Sequence, residues 1–321
     1  MKRIVLICSL LFFMLLVQSC ASNIKNQIPL EKKYLIAEKI PIAEVFIPYD
    51  FNLKEKYLMI SSRQTDTLLY FYSIPDLKYL GSGCMRGGGP GEYPSNHLQF
   101  GYTSNDKVYT WDTRLNIREV QLDASGHVFS KEKFKLKRFQ ILNHIYIIND
   151  EVLLYNDVDN LEIIKQDLVS ASIMGHISLK KDGNKNPSFD SGRGKLIAND
   201  SVIVYLYAYQ DRIDIYDLNS LERKKSIVSS GRTSRNISPG GKYNQYNING
   251  IAGEKYFYST YVTDQTLDRS YVIRAYDYNG KLYAEYSFDV FPERYAVDEK
   301  NGYIYGYNTN YENSLLRYKL N

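Results

Sequence analysis

The stretch Asn149-Asp150-Glu151-Val152-Leu153-Leu154-Tyr155 reads as a turn feeding a strand. Asn and Asp side chains bond nearby backbone and tolerate left-handed conformations, so the pair starts a turn. Val-Leu-Leu-Tyr is a short β-prone run. The phrase returns as Asn105-Asp106-Lys107-Val108-Tyr109 and as Asn199-Asp200-Ser201-Val202-Ile203-Val204-Tyr205. Looser copies are Glu55-Lys56-Tyr57-Leu58-Met59-Ile60, Glu254-Lys255-Tyr256-Phe257-Tyr258 and Asn301-Gly302-Tyr303-Ile304-Tyr305. The strands then begin at Tyr57, Val108, Val152, Val202, Tyr256 and Tyr303, about 44 to 54 residues apart. Propeller blades repeat at about this period. The spacing therefore predicts an all-β chain folded as a six-bladed β-propeller.

Between the phrases lie further strands and turns. Blade one reads as strands at 57–61, 68–74 and 77–81, with Pro75-Asp76 as a hairpin turn. Blade two has 107–112, 117–122 and a return strand after Asp123-Ala124-Ser125-Gly126; blade three has 152–156 and 161–167. Blade four has 202–208 and 213–218, and blade five has 256–262, 271–278 and 281–288 around Asn279-Gly280. Blade six, at 303–307 and 315–320, lacks an outermost strand, and the β-prone segment 34–40 lacks a blade. Pairing the N-terminal strand with the last blade closes the ring and removes two open edges. No sustained 3.6-residue apolar period follows the leader, and a β-sandwich would leave six near-regular repeats unexplained.

The leader is an address. Lys2-Arg3 is basic, 4–17 is almost wholly apolar, and the run is shorter than a comfortable bilayer span. It ends in Leu16-Val17-Gln18-Ser19-Cys20-Ala21, which resembles a bacterial lipobox, with Gln18 departing from the usual small residue. The resemblance implies a signal peptide at 1–19, lipidation of Cys20, a tether at 20–33 and the propeller at 34–321. Acyl chains on Cys20 would hold the body at a membrane. No acidic run follows Cys20, which points to the periplasmic face of a Gram-negative envelope rather than the cell surface. Cys84 is then the one cysteine of the mature body, so it forms no internal disulfide and reads as a small buried residue.

Composition excludes some functions. The net charge of +4 falls to +2 once Lys2 and Arg3 leave with the leader, which argues against nucleic acid as a partner. The 31 tyrosines suit a fold whose many strand ends meet water. His97, His127, His144 and His176 fall in separate blades or connections, without metal-ligand spacing, so no metal or other cofactor is expected.

Between the first two phrases stands Gly81-Ser82-Gly83-Cys84-Met85-Arg86-Gly87-Gly88-Gly89-Pro90-Gly91-Glu92-Tyr93-Pro94. Its core, Gly-x-Gly-Pro-Gly-Glu-Tyr, resembles a motif of bacterial TolB-like six-bladed propeller lipoproteins, which are related to NHL-type propellers. The resemblance implies fold and location, and little about activity. Gly-Pro-Gly-Glu occurs once, with a weaker Ser230-Gly231-Arg232 loop at the comparable place after blade four. Consecutive glycines can aim several N–H groups at one anion, but the Gly-Lys-Ser/Thr ending of a nucleotide loop is absent. The run reads as a crossover whose turn Glu92 fixes, or as a ligand contact at the channel mouth assisted by Arg86. Arg193, Arg232 and Arg235 form a candidate positive rim. Asn156-Asp157-Val158-Asp159-Asn160 carries the oxygens of a calcium loop without its glycine, and reads as a solvated turn. No catalytic residue stands out. The expected function is a membrane-anchored binding platform for an envelope protein, peptide or glycan. The alternative is a glycan hydrolase or lyase at the channel mouth, which would need convergent carboxylates or histidines there.

Overall fold

A computed structural model describes residues 30–320 apart from 45–46, 90, 95–97, 104, 137–141, 181–191, 234–243 and 264–268; for 142–144 and 229–233 it describes the backbone alone. Two short strands lead the chain, β1 (Glu31–Leu35) and β2 (Glu38–Pro41). Blade one is β3 (Pro48–Lys54), β4 (Tyr57–Ser62), β5 (Thr67–Ser73) and β6 (Tyr79–Met85). Blade two is β7 (Gln99–Thr103), β8 (Val108–Trp111), β9 (Asn116–Leu122) and β10 (His127–Lys135). Blade three is β11 (Leu142–Ile148), β12 (Val152–Asp157), β13 (Glu162–Asp167) and β14 (Ile173–Ser178). Blade four is β15 (Gly194–Ala198), β16 (Val202–Tyr207), β17 (Gln210–Asp217) and β18 (Arg223–Thr233). Blade five is β19 (Asn247–Ala252), β20 (Tyr256–Val262), β21 (Tyr271–Asp277) and β22 (Leu282–Phe288). Blade six is β23 (Arg294–Asp298), β24 (Tyr303–Tyr307) and β25 (Ser314–Lys319).

The strand that follows each repeat phrase is present in all six blades, as β4, β8, β12, β16, β20 and β24. It is the second strand of its blade. The phrase is the hairpin turn that joins it to an inner strand, and Asn149 and Asp150 both take positive φ there. The inner strands β7, β11, β15, β19 and β23 are absent from the reading of the sequence. Three of them, β7, β15 and β23, have five residues each, and β15 (Gly-Lys-Leu-Ile-Ala) and β7 (Gln-Phe-Gly-Tyr-Thr) show no run of β-prone residues, whereas β11 has seven residues and carries Ile145-Tyr146-Ile147-Ile148. Ser230-Gly231-Arg232, expected as a loop, belongs to β18.

Successive blades bury their faces against one another. Each interface holds an apolar cluster, including one between blades six and one built on Phe51, Leu58, Ile60, Tyr305 and Leu315. Because both faces of a blade are covered, second strands are apolar on both sides. All six residues of β16 (Val-Ile-Val-Tyr-Leu-Tyr) are buried. Blades one, two and three are also joined edge to edge by two parallel pairings, Ser82 opposite His127 and Gly101 opposite Ile145. At the N-terminus, β2 pairs antiparallel with β25, Glu38 opposite Arg317. Arg317 grips Glu38 with two bonds of 2.8 and 3.0 Å and also donates to Pro75 O at 2.6 Å. β1 lies beside β22, outside blade five.

The turn residues lock neighbouring blades. Lys54 Nζ donates to Thr103 O at 2.7 Å and Asn105 O at 2.6 Å, from blade one to blade two. Asp150 accepts from Lys107, from Asn105 Nδ2 at 3.1 Å and from the Tyr109 hydroxyl at 3.0 Å, from blade three back to blade two. Glu299 of blade six accepts from Lys255 N, Tyr256 N and the Tyr258 hydroxyl of blade five at 2.7, 3.1 and 2.9 Å. Tyrosine serves the same architecture: Tyr93, Tyr205 and Tyr258 bury their rings and spend their hydroxyls on Thr110, Gly192 O and Glu299. A buried ring with one bonded polar tip fits the end of a strand at a blade interface.

Candidate functional site

The ends of the inner strands line one cavity and their starts line another, each of about 500 Å³. The strand-end mouth is ringed by the repeat turns, including Lys54, Asn105, Asp200 and Glu299. Its best-placed groups are occupied by the interblade locks, Lys54 and Glu299 among them. Burial lowers the Lys54 ammonium to about 8, and Asp106 and Asp200 pull it back up.

The strand-start mouth is built differently. Tyr49 and Asp50 begin β3, Gln99 and Phe100 begin β7, and Lys195 is the second residue of β15. Ile248 and Asn249 come from β19, and Glu293 and Arg294 stand at the start of β23. Tyr271 and Phe291 complete the wall, ring centroids 5.2 Å apart and planes tilted by 34°.

Asp50 is the floor of this mouth. Phe51 N donates to its Oδ1 at 2.9 Å, and the Tyr102 hydroxyl also donates to it. The Tyr102 ring stacks on Tyr146, centroids 5.2 Å apart, and also lines the opposite mouth, so aromatic rings lie between the two cavities. Desolvation pushes the Asp50 carboxyl up to about 6, against the opposing pull of its bond to Phe51 N and of Lys195, Arg294 and Arg63. Burial lowers the Lys195 ammonium, and Asp50 raises it again. Arg63 lies over the Tyr49 ring, 3.1 Å from its centroid. Arg294 is exposed at the lip and donates Nε to Tyr49 O at 3.0 Å.

A shift of this sign has a stability consequence. The folded state holds the Asp50 proton more tightly than the unfolded chain does, so this group destabilises the fold above about pH 6, and the loss fades as pH falls toward 4. Asp50→Asn mimics the protonated acid. It is expected to be more stable than the native chain by about 2 kcal/mol at pH 8 and equal to it near pH 4. Urea melts of both chains across that range test this, and a variant less stable at pH 8 would assign Asp50 a net stabilising charge.

Of the residues singled out from the sequence, Arg86 and Glu92 lie elsewhere. Arg86 pairs with Asp66 at 2.6 Å, and Glu92 Oε2 accepts from Gly89 N at 2.6 Å. Both sit in the crossover from β6 to β7, and neither lines a mouth. Glu92 fixes that turn through a backbone N–H. Arg193 immediately precedes β15, two residues before Lys195. Arg232 lies in β18 with its side chain outside the described residues, as is that of His144; Cys20, His97 and Arg235 are outside them altogether. Cys84 is buried in β6, and burial pushes its thiol up to about 12, so no thiolate forms near neutral pH. Asp157 accepts from the backbone N–H groups of Asp159 and Asn160 at 3.1 and 3.0 Å, which makes the 156–160 segment a self-bonded turn. Among the described residues no group of His, Cys, Asp and Glu is placed to hold a metal ion.

Residues 28–300 match the family described as TolB-like 6-blade propeller-like. The chain belongs to this family. The resemblance carried by the Gly-Pro-Gly-Glu-Tyr motif is thereby shown, and so are the all-β class and the six-bladed propeller. Three solved structures are similar to this TolB-like chain. One is a protein of Bacteroides fragilis whose name marks it as exported, 13% identical, TM-score 0.55, covering 90% of this chain and 98% of that one. Another is virginiamycin B lyase from Staphylococcus aureus, 11% identical, TM-score 0.51, covering 89% and 99%. The third is U3-55K, 8% identical, TM-score 0.53, covering 88% and 98%. At such identities the likeness extends to the fold alone. No curated protein matches the sequence.

Proposed function

We propose that this TolB-like propeller is an exported lipoprotein, anchored through Cys20, that binds an envelope protein, peptide or glycan at its strand-start mouth. The observation that carries this reading is the mouth itself. It is concave, of a size typical of small-ligand sites, and combines aromatic walls with amides and unlike charges at its floor. The name of the exported Bacteroides fragilis protein supports a location outside the cytoplasm. The β2–β25 pairing and the cluster between blades six and one support a closed ring, which would hold the six inner strand starts in fixed register.

Two measurements test the reading. Cys20→Ser is expected to move the protein from the membrane fraction to the soluble envelope fraction; a variant that stays with the membrane would remove lipidation as the anchor. Pull-down from membranes with the lipidated chain is expected to recover a partner that Arg294→Glu loses. Recovery unaffected by that change would place the binding surface away from the mouth.

One observation supports an enzyme as the second reading. Asp50, with its carboxyl near 6 and Lys195 beside it, has the proton affinity of a general acid or base at neutral pH. Turnover of an envelope glycan, abolished by Asp50→Asn, would establish it.

A further inference from the structure

We infer that the strand-end mouth takes a lysine-bearing peptide segment of a partner, its ammonium groups met by carboxylates from several blades and a peptide carbonyl received by Asn52. This is a second site, independent of the function proposed for the strand-start mouth. Charge is the first argument. The described lining carries six carboxylates, Glu55, Asp106, Asp200, Glu254, Asp298 and Glu299, against Lys54 and Lys300. None of the six is in an ion pair with a described residue. Asp298 and Glu299 are bonded, but to amide N–H groups and tyrosine hydroxyls, which leave their charge uncancelled. The other four stand exposed in the repeat turns. Lys54 donates to Thr103 O, Thr103 Oγ1 and Asn105 O, so its ammonium is committed to neutral oxygens. The whole chain is cationic at +4, so this anionic excess is a local feature, and a concave anionic site gathers cations.

Asn52 is the second, independent argument. It lines the same cavity, is 6% exposed, and its Nδ2 has no hydrogen-bond partner among the described residues. It stands two residues inward from Lys54 on the same face of β3, deeper than the turn carboxylates. A buried amide donor left unmet is costly, and such groups are rare unless something outside the fold completes them. Nδ2 is a donor, so the ligand has to bring an acceptor.

The two arguments together select the ligand. The carboxylates come from the turns of five blades, and among the described residues no group of them is placed to hold a metal ion. Dispersed charge suits several cations on flexible stems. A polyamine carries donors alone and gives Asn52 nothing to receive. An amino sugar has acceptors but is held chiefly against open aromatic faces. The rings that line this cavity are already covered, Phe51 by the cluster between blades six and one and Tyr102 by Tyr146. A lysine residue in a peptide supplies both groups, an ammonium and a backbone carbonyl.

The test is calorimetric titration of the full chain with N-acetyl-trilysine amide, with spermidine, which matches its charge, and with the trimer of glucosamine. The trilysine peptide is expected to bind, with spermidine about tenfold weaker for want of an acceptor. Raising salt from about 0.05 to 0.3 M is expected to weaken the peptide several-fold. Asp106→Asn combined with Asp200→Asn is expected to weaken it about tenfold, with circular dichroism unchanged. Asn52→Leu, similar in volume and without the donor, is expected to weaken it about fivefold while melting no lower than the native chain. A merely structural amide would show the reverse, a lower melting point with binding kept, and that result overturns the role of Asn52. Arg294→Glu, in the strand-start mouth, is expected to leave peptide binding unchanged. Equal affinity for spermidine overturns the peptide, and so does tighter binding of the glucosamine trimer. Peptide binding that the carboxylate variant retains in full, or that Arg294→Glu loses, overturns the strand-end mouth as its site. Failure of all three probes to bind overturns the assignment of a cationic ligand.

Discussion

Asp214→Ala is expected to cost about 3–5 kcal/mol of folding stability, the range found when one partner of a buried ion pair is deleted. Asp214 lies in the middle of β17 with no solvent exposure. Its two oxygens gather five donors: Arg212 Nε at 2.8 Å and Nη2 at 2.6 Å, the hydroxyls of Tyr207 at 3.0 Å and Tyr216 at 3.1 Å, and Ser226 Oγ at 2.7 Å. Truncation leaves a guanidinium and two buried phenols without their common acceptor, and each unmet donor carries its full desolvation cost. Arg212 is partly exposed and can turn toward water, which favours the lower half of the range. Asp214→Asn keeps an acceptor and loses the charge, so it is expected to fall about midway. Urea denaturation of both variants at pH 7, with unchanged slope, measures the effect. A loss below about 1 kcal/mol for the alanine variant would mean that water replaces the carboxylate, and the network would then be incidental to blade four.

The architecture was legible because one turn recurs. An Asn-Asp pair before a β-prone run is a local signal, and three copies with three looser ones at blade spacing make it a global one. What the sequence hid was the place of that turn within the blade. The phrase opens the second strand, and the inner strand of five to seven residues lies just before it. Counting back from each turn therefore approaches the mouth: Asp50 stands five residues before Glu55, Phe100 five before Asn105, Lys195 four before Asn199 and Arg294 seven before Asn301. The register was present in the sequence, but the strands carrying it were not recognised. Gly101 interrupts β7, and Lys195 and Arg294 dilute the starts of β15 and β23, so the apolar content of these strands is too low to declare them; β11 does carry a β-prone run, Ile145-Tyr146-Ile147-Ile148. The arginines chosen from loops were found by residue type alone, and only Arg193 stands near the mouth in sequence. Convergence of Asp50, Lys195 and Arg294 from three blades depends on closing distances of 99 residues or more along the chain, which no local pattern encodes.

The glycine-rich motif shows how a correct resemblance can accompany an incomplete physical reading. The strand read at 77–81 stops at Gly81, yet Ser82 and Gly83 continue it as β6, pressed parallel against β10 of the next blade. A Cβ on Gly83 would lie 2.2 Å from Val128 O, and one on Gly81 would lie 1.9 Å from Gly126 O. Both obstacles are backbone, so no side chain can swing away to admit a methyl group. Relief requires the two edge strands to separate, which breaks their pairing and opens the cluster of Phe71, Cys84, Tyr93 and Val128 beneath. Gly83→Ala is therefore expected to cost about 2–3 kcal/mol, at the upper end of ordinary overpacking. In a chain of this size that is a fall of roughly 3–5 °C in Tm. Gly81→Ala combined with Gly83→Ala is expected to cost less than the sum of the two, because the first methyl group already parts the strands for the second. Gly88→Ala is the control: nothing lies within 4 Å of the added atom, and the change is expected to stay within about 0.5 kcal/mol. If Gly83→Ala were as mild as Gly88→Ala, the β6–β10 pairing would be a loose contact between blade edges. The glycines would then owe their place to the turn that follows, and blades one and two would be held by their apolar interface and by the Lys54 bonds to Thr103 and Asn105.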